Sequence, residues 1–282
     1  MDNSPPKTQS RPTPVRREAG SRKGLRFREL IQFRELLVFL AWRDIKVRYK
    51  QTVLGGLWAI IQPLMTMVVF SIFFGRLAKI PSDGIPYPIF SYAALTPWTL
   101  FSNSLTKAST SLVGNANLVR KIYFPRIISP IAAVLTGAVD FALAFIILIG
   151  MMFAYGYYPT WRIIWVLPLL LLTMLTSLGA GLWLAALNVT YRDIRYIVPF
   201  LTQIWMFATP VAYPGSMLDE PWRSLYGLNP MAGVIEGFRW ALLGSETAAG
   251  PIFLVSVTAV CVMFFSGMVY FQKVERHFAD VI

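Results

Sequence analysis

The sequence predicts an all-α membrane protein with six transmembrane helices, an N-terminal amphipathic interface helix and a short re-entrant helical hairpin on the outer side. Two observations support this fold class. Hydrophobic residues make up 56% of the 282 residues and charged residues only 14%, a balance that the surface of a water-soluble domain does not have. The mean hydropathy is +0.55. The chain also contains six windows, nearly free of charge, that reach the roughly 20 residues needed to cross a bilayer.

The N-terminal segment has a different composition from the rest of the chain. Residues 1–24 contain four prolines and few apolar residues, which is typical of a disordered tail. We predict that residues 25–282 form the transmembrane domain, with the interface helix at residues 29–50 and the outer hairpin at residues 216–244. The predicted spans cover about residues 53–75, 86–108, 127–152, 162–188, 196–214 and 250–272.

Lysine and arginine are distributed unequally between the two sides of the predicted membrane domain. Half of the 26 basic residues precede residue 51, and the loops after the second and fourth spans, with the C-terminal tail, bring that side to 21. The other side has five basic and five acidic residues, so its net charge is zero. The positive-inside rule therefore places both termini in the cytoplasm. Topology explains the net charge of +12 without nucleic acid as a partner.

The predicted interface helix separates apolar from basic residues. Apolar residues recur at helical spacing: Val38, Ala41, Trp42, Ile45 and Tyr49. A second stripe is basic: Arg43, Lys46 and Lys50. Such a helix lies in the plane of the membrane interface, with its cations at the anionic leaflet. We predict that it turns at Gly55 and Gly56 into the first span. The alternative is a segment that only anchors the chain.

Two loops on the basic side contain further signals. After the second span, Asn115 or Asn117 is suited to begin a short helix and Pro125 to end it, with two basic residues near its C-terminus. After the fourth span, charge is concentrated in residues 192–195. Two interpretations remain open for both loops. They are docking surfaces for a cytoplasmic partner, or connectors that follow the positive-inside rule.

The outer hairpin is predicted from capping signals and length. Asn229, followed by proline, is suited to cap a helix, and Gly244 to end it. The helix between these two residues has 14 residues and extends roughly 21 Å, which is too short to cross a hydrocarbon core of about 30 Å. Residues 216–226 would form the first arm. Glu236 and Arg239 lie one turn apart and are expected to pair.

Asp140 is the ionisable residue inside an otherwise apolar predicted span. A carboxylate at that depth faces the bundle or a wet cavity. Two roles are open for Asp140. It is a proton site in a proton-coupled carrier, or it is a structural hydrogen-bonding group. We find no intramembrane Lys, Arg or His to pair with it, which favours the structural role. On that interpretation, Asp140→Asn leaves transport largely intact.

No set of residues suggests catalysis or metal binding. The outer carboxylates Asp219, Glu220 and Glu236 are scattered, which disfavours a membrane-embedded transferase, and Cys261 and His277 are each the sole residue of their type. A secondary carrier would have internal repeats, and the first and last three spans do not match. The chain contains no G-x-x-x-x-G-K-[ST] sequence, so ATP would be hydrolysed on another polypeptide.

Five stretches occur in an order that identifies a family: RDIKVRYKQTVLGGLWAIIQP, LVRKIYFPR, NVTYRDI, TPVAYP and GLNPM. Together they resemble the membrane permease of polysaccharide ABC transporters. This ABC-2 type group exports lipid-linked O-antigen, capsule or teichoic-acid chains. The resemblance covers residues 29 to 272, nearly all of the structured part. A related alternative is an ABC-2 exporter of small hydrophobic compounds.

The resemblance implies a homodimeric permease in the cytoplasmic (inner) membrane, with ATP and Mg on a separate ATPase subunit and no cofactor on this chain. Gly55 and Gly56 become a hinge that transmits motion to the first span. Trp58 and Trp98 become channel-lining residues that contact sugar, although interfacial aromatic belts explain such residues as well. The residues implied to couple to the ATPase are Arg43, Asp44, Arg48, Tyr49, Asn117, Arg120, Lys121, Phe124, Arg192 and Asp193.

Overall fold

The structure, a computed structural model, describes residues 27–50, 56–219, 221–245, 251–275 and 278. Regular secondary structure in these ranges is entirely helical, which confirms the all-α prediction. A π-helical turn, Ser71–Leu77, continues α3, and 3₁₀ turns precede α7 and α9. The helices are α1 (Phe27–Gln32), α2 (Arg34–Lys50), α3 (Leu57–Phe70), α4 (Tyr87–Gly114), α5 (Ala116–Lys121), α6 (Ile128–Ala154), α7 (Val166–Thr190), α8 (Ile194–Phe207), α9 (Trp222–Tyr226), α10 (Pro230–Leu243) and α11 (Pro251–Val274).

Four helical stretches in the described ranges are long and apolar enough to cross a bilayer: Leu57–Leu77, Ile128–Ala154, Trp161–Thr190 and Ile252–Val274. They correspond to the first, third, fourth and sixth predicted spans. The second and fifth predicted spans correspond to α4 and α8. α4 has 28 residues and α8 only 14, so α8 extends roughly 21 Å along its axis.

α4 is the central helix of the bundle. It packs against α3, α6, α7, α8 and α10, and most of its side chains are buried. Several of these are hydroxyl side chains, and those of Ser91, Thr96 and Ser109 donate hydrogen bonds to carbonyls of their own helix. Because its polar residues face protein rather than lipid, α4 is less apolar than the outer helices while still lying inside the bundle.

Glycines permit a close crossing between α7 and α11. A Cβ atom added at Gly179 would lie 2.7 Å from the Cα atom of Phe264, and one added at Gly267 would overlap the carbonyl oxygen of Gly179. The two backbones are therefore in direct contact. Small residues of this kind allow the close packing on which helix association in membranes depends.

α2 packs on α6 with one side only. Leu40 and Ala41 are buried in a cluster with residues of α5 and α6, whereas Val38 and Trp42 are 66% and 63% exposed. The apolar residues of α2 thus lie on two sides rather than on the single face expected from their spacing. One side contacts the bundle, and the other is free to contact lipid.

α10 has the caps that the sequence predicts. The side chain of Asn229 accepts a hydrogen bond from the backbone N–H of Met231 at 3.1 Å, and Gly244 ends the helix with φ of +74°. α10 is almost wholly buried and packs against α4, α7 and α11. The 3₁₀ turn Gly215–Met217 and the short α9 precede it.

Candidate coupling surface and its anchor

The predicted coupling residues gather at one end of the bundle, which we call the α2 end. It contains α2, α5 and the connection between α7 and α8. Contacts join its parts: the amide of Asn188 in α7 donates to the carbonyl of Ser109 in α4 at 2.9 Å. The guanidinium of Arg126 before α6 donates to the carbonyl of Glu275 after α11. These contacts place helix ends that are distant in sequence at the same end of the bundle.

The centre of this end is an ionic cluster that we call the Asp140 anchor: Asp140 of α6 with Arg48 and Tyr49 of α2 and Lys107 of α4. The Arg48 guanidinium donates to Oδ2 of Asp140. The phenol of Tyr49 donates to Oδ1 at 2.9 Å, and Nζ of Lys107 lies 3.5 Å from Oδ2. The carboxylate is largely buried, whereas both cations are about one-third exposed. One carboxylate therefore joins three helices.

This cluster corrects the expectation that Asp140 has no cationic partner. Arg48 precedes the first predicted span, and Lys107 is the penultimate residue of the second predicted span. Both carry long flexible side chains, which extend along apolar surface while their charged ends remain near water. The pairing depends on α2 lying across α6, a tertiary arrangement that spacing along the chain does not contain.

Tyr49 is the phenol donor of this cluster. Its burial, together with the hydrogen bond to Asp140, raises the pKa of the Tyr49 phenol to about 12. A tyrosine with the ordinary pKa of 10.0 is already protonated near neutral pH, and the raised pKa moves loss of the phenol proton further from that range.

A second polar contact attaches α2 to the bundle about a turn and a half earlier. Nη2 of Arg43 donates to Oδ1 of Asp44 at 2.7 Å and to Oδ1 of Asn115 at 2.8 Å. Asn115 lies at the junction of α4 and α5, and its amide donates to the carbonyl of Ser111 at 2.9 Å. The predicted coupling residues Arg43 and Asp44 thus orient α2 relative to α4.

The remaining predicted coupling residues divide into exposed and buried positions. Phe124 is only 4% exposed and packs with Leu40 beneath α2, so it supports the surface rather than forming it. Five residues are exposed on α5 or in the connection between α7 and α8: Asn117, Arg120, Lys121, Arg192 and Asp193.

The predicted hinge and channel residues have different environments. Gly55 lies outside the described residues. Gly56 precedes α3, and a Cβ atom there would lie 2.5 Å from the Tyr49 ring, so its lack of a side chain makes room for Tyr49. Trp58 is 52% exposed and available to a channel, whereas Trp98 is 3% exposed and packs against Phe101 in the core.

A buried polar cluster stabilises the opposite end of the bundle. Glu236 and Arg239 pair as expected, at 3.4 Å. The sequence did not indicate that Arg239 also donates to the carbonyls of Val211 and Tyr213, at 2.8 and 3.3 Å. Its guanidinium lies 3.6 Å from the ring centre of Phe90. These contacts satisfy carbonyls of the non-helical segment 208–214, which follows α8.

Other side chains bind the same segment. The phenol of Tyr87 donates to the carbonyl of Ala212 at 2.6 Å, and the amide of Asn229 donates to the carbonyl of Ala208 at 2.9 Å. Irregular backbone is tolerated at membrane depth only where its polar groups find partners. The segment after α8 is therefore held in a defined conformation by α4 and the α10 region.

The fold and the two polar clusters define a class: a helical membrane protein that joins a basic surface at one end to a buried, non-helical segment at the other. Comparison with known proteins gives the family. The family model described as ABC-2 type transporter matches residues 35–243. The chain belongs to the ABC-2 type transporter family.

Characterised relatives cover most of the chain. The chain is 33% identical to the O-antigen export system permease protein RfbA of Myxococcus xanthus, over 90% of this chain and 98% of the relative. It is 27% identical to an RfbA of Klebsiella pneumoniae, over 88% and 95%. It is 23% identical to the polysialic acid transport protein KpsM of Escherichia coli, over 83% and 91%.

Proposed function

We propose that this chain is the membrane-spanning permease subunit of an ABC transporter that exports lipid-linked polysaccharide across the cytoplasmic membrane. The observation that carries the proposal is the similarity to an O-antigen export permease along 98% of that relative's length. Another relative is named for transport of polysialic acid, which is a polysaccharide rather than a small hydrophobic compound. The similarity therefore favours polysaccharide over the alternative substrate.

The proposed topology has six spans with both termini in the cytoplasm. α4 would supply the second span, and α8 with the non-helical segment 208–214 the fifth. α9 and α10 would form a re-entrant hairpin on the outer side. The excess of basic residues on the α2 end supports this orientation. The buried polar cluster around Arg239 would then lie on the outer side of the membrane.

The proposed partner is a separate ATPase subunit, which binds ATP and Mg, on the α2 end. The exposed charged residues of α5 and of the connection between α7 and α8 would contact it, and α2 would receive its movement. We further propose a homodimer of the permease. Exposed aromatic residues on α3 and α8 would then be available to line a path between the two copies, Trp58 and Phe200 among them.

Site-directed crosslinking tests partner and orientation together. In a Cys261→Ser background, Tyr123→Cys places a thiol on the α2 end and Tyr158→Cys places one on the opposite end, at residues that are 74% and 68% exposed. We expect only the thiol at position 123 to crosslink to an ATPase in native membranes. Only the thiol at position 158 should react in whole cells with a maleimide that does not cross the inner membrane. Crosslinking from position 158 would refute the orientation, and no ATPase from either position would refute the subunit assignment.

A further inference from the structure

The Asp140 anchor suggests the route by which movement of α2 reaches the bundle. We propose that Asp140 is a positioning residue that transmits this movement from α2 into α6 and α4, in place of the chain link through Gly55 and Gly56 into α3. The inference rests on the proposed function, because it assumes a partner that moves α2.

α2 packs on α6, and its polar side chains bind Asp140 of α6 and Asn115 at the end of α4. Arg48 and Tyr49 are adjacent in α2, and both bind the carboxylate of Asp140, one to each oxygen. Lys107 adds α4 to the same carboxylate. Arg43 reaches the end of α4 through Asn115.

These attachments restrain α2 against both translation and rotation. The two polar attachments are separated by five residues, about 7.5 Å along the helix. Leu40 and Ala41 precede both attachments in α2, and they are buried against α6 and α5. Hydrogen bonds in which one partner is ionised are shorter and stronger than neutral ones, so a displacement of α2 should carry α6 with it.

The route through α3 has weaker support among the described residues. α3 packs on α4 and α6, and α2 packs on α6, but no packing of similar extent joins α2 to α3 in the described ranges. The Tyr49 ring does meet Gly56 at the start of α3. That contact in turn positions Tyr49 beside Asp140. Gly56 therefore contributes to the anchor as well as to the connection.

Loss of the carboxylate is expected to uncouple ATP hydrolysis from export. In Asp140→Asn, the negative charge between the Arg48 and Lys107 cations is gone, and the two cations repel each other. In a complex of permease and ATPase reconstituted in lipid, we expect Asp140→Asn and Arg48→Gln to lower the amount of glycan exported per ATP by about tenfold. ATP hydrolysis itself should continue. This replaces the expectation that Asp140→Asn leaves transport intact.

Three controls separate coupling from general damage. Lys46→Gln removes a positive charge from an exposed position of the same helix, and Asp140→Glu retains the carboxylate. Both should keep the export per ATP of the wild type. An insertion of Gly-Ser-Gly after Thr52 loosens the link to α3 and should also keep it. If Asp140→Asn matches Lys46→Gln, or if the insertion uncouples the complex while the anchor is intact, the proposal is wrong.

A distance measurement on the permease alone does not depend on the partner. Spin labels at Val47 of α2 and Ile146 of α6, both exposed, should give a narrow distance distribution that broadens in Asp140→Asn and stays narrow in Lys46→Gln. An unchanged distribution in Asp140→Asn would overturn the anchor. If the wild type recruits no ATPase, the proposed function fails, and the distances still decide whether Asp140 holds α2.

Discussion

Replacement of Arg239 by methionine is expected to prevent accumulation of the folded permease. Arg239 is 1% exposed, pairs with the buried Glu236 and donates to carbonyls of the segment 208–214. Removing one partner of a buried ion pair costs about 3–5 kcal/mol, because the other buried charge loses that cation; Glu236 would keep the backbone N–H of Gly215 as a donor. Each carbonyl left unsatisfied adds about 1–3 kcal/mol. Together these losses approach the whole stability of a typical domain, about 5–15 kcal/mol.

The measurement for Arg239→Met is the level of membrane-inserted protein, together with the thermal midpoint of whatever fraction can be purified. Arg162→Met is the matched control, because Arg162 lies over the ring of Trp240 at 5.1 Å and has no buried ion pair among the described residues. It should lose no more than about 1 kcal/mol. Adding Glu236→Gln to Arg239→Met should restore part of the loss, since it removes the buried negative charge that has lost the Arg239 cation. A midpoint equal to that of the wild type would refute this role of Arg239.

Replacement of Gly179 by alanine is the second change with a large expected effect. The added methyl group would lie 2.7 Å from the Cα atom and 2.8 Å from the backbone nitrogen of Phe264. A flexible side chain could move aside easily, but backbone cannot, so α7 and α11 must shift apart at this crossing. Overpacking of a core typically costs about 1–3 kcal/mol, and a contact between two backbones should lie at or above the upper end of that range.

Gly150→Ala is the control for Gly179→Ala. A Cβ atom at Gly150 of α6 meets nothing within 4 Å, so alanine there should be neutral or stabilising by about 0.5–1 kcal/mol through helix propensity. Comparing the thermal midpoints of the two variants isolates the effect of the crossing. If both midpoints are equal to that of the wild type, then α7 and α11 do not meet at Gly179.

Local features of the fold could be predicted from the sequence because they depend on neighbouring residues. The caps of α10 at Asn229 and Gly244 and the pair of Glu236 with Arg239 depend only on helical spacing. The same is true of α5, which begins after Asn115. Long apolar windows similarly predict α3, α6, α7 and α11 as spans.

The contacts that define the two polar clusters could not be predicted, because they join elements distant in sequence. Asp140 lies 92 residues from Arg48, and their pairing requires α2 to lie across α6. Arg239 lies 28 residues from Val211, and its role depends on the loss of helical structure after α8. α4 was recognisable as a helix, but its central position follows from packing against five others.

The central claim, export of lipid-linked polysaccharide, is tested most directly by deleting the gene and restoring it on a plasmid. The amount of surface polysaccharide and the amount of lipid-linked glycan in the cytoplasmic membrane would be measured in the same cells. We expect the deletion to abolish surface polysaccharide and to cause lipid-linked glycan to accumulate, and the wild-type gene to reverse both. Normal surface polysaccharide in the deletion strain, with increased sensitivity to small hydrophobic compounds, would contradict the account and support the alternative exporter.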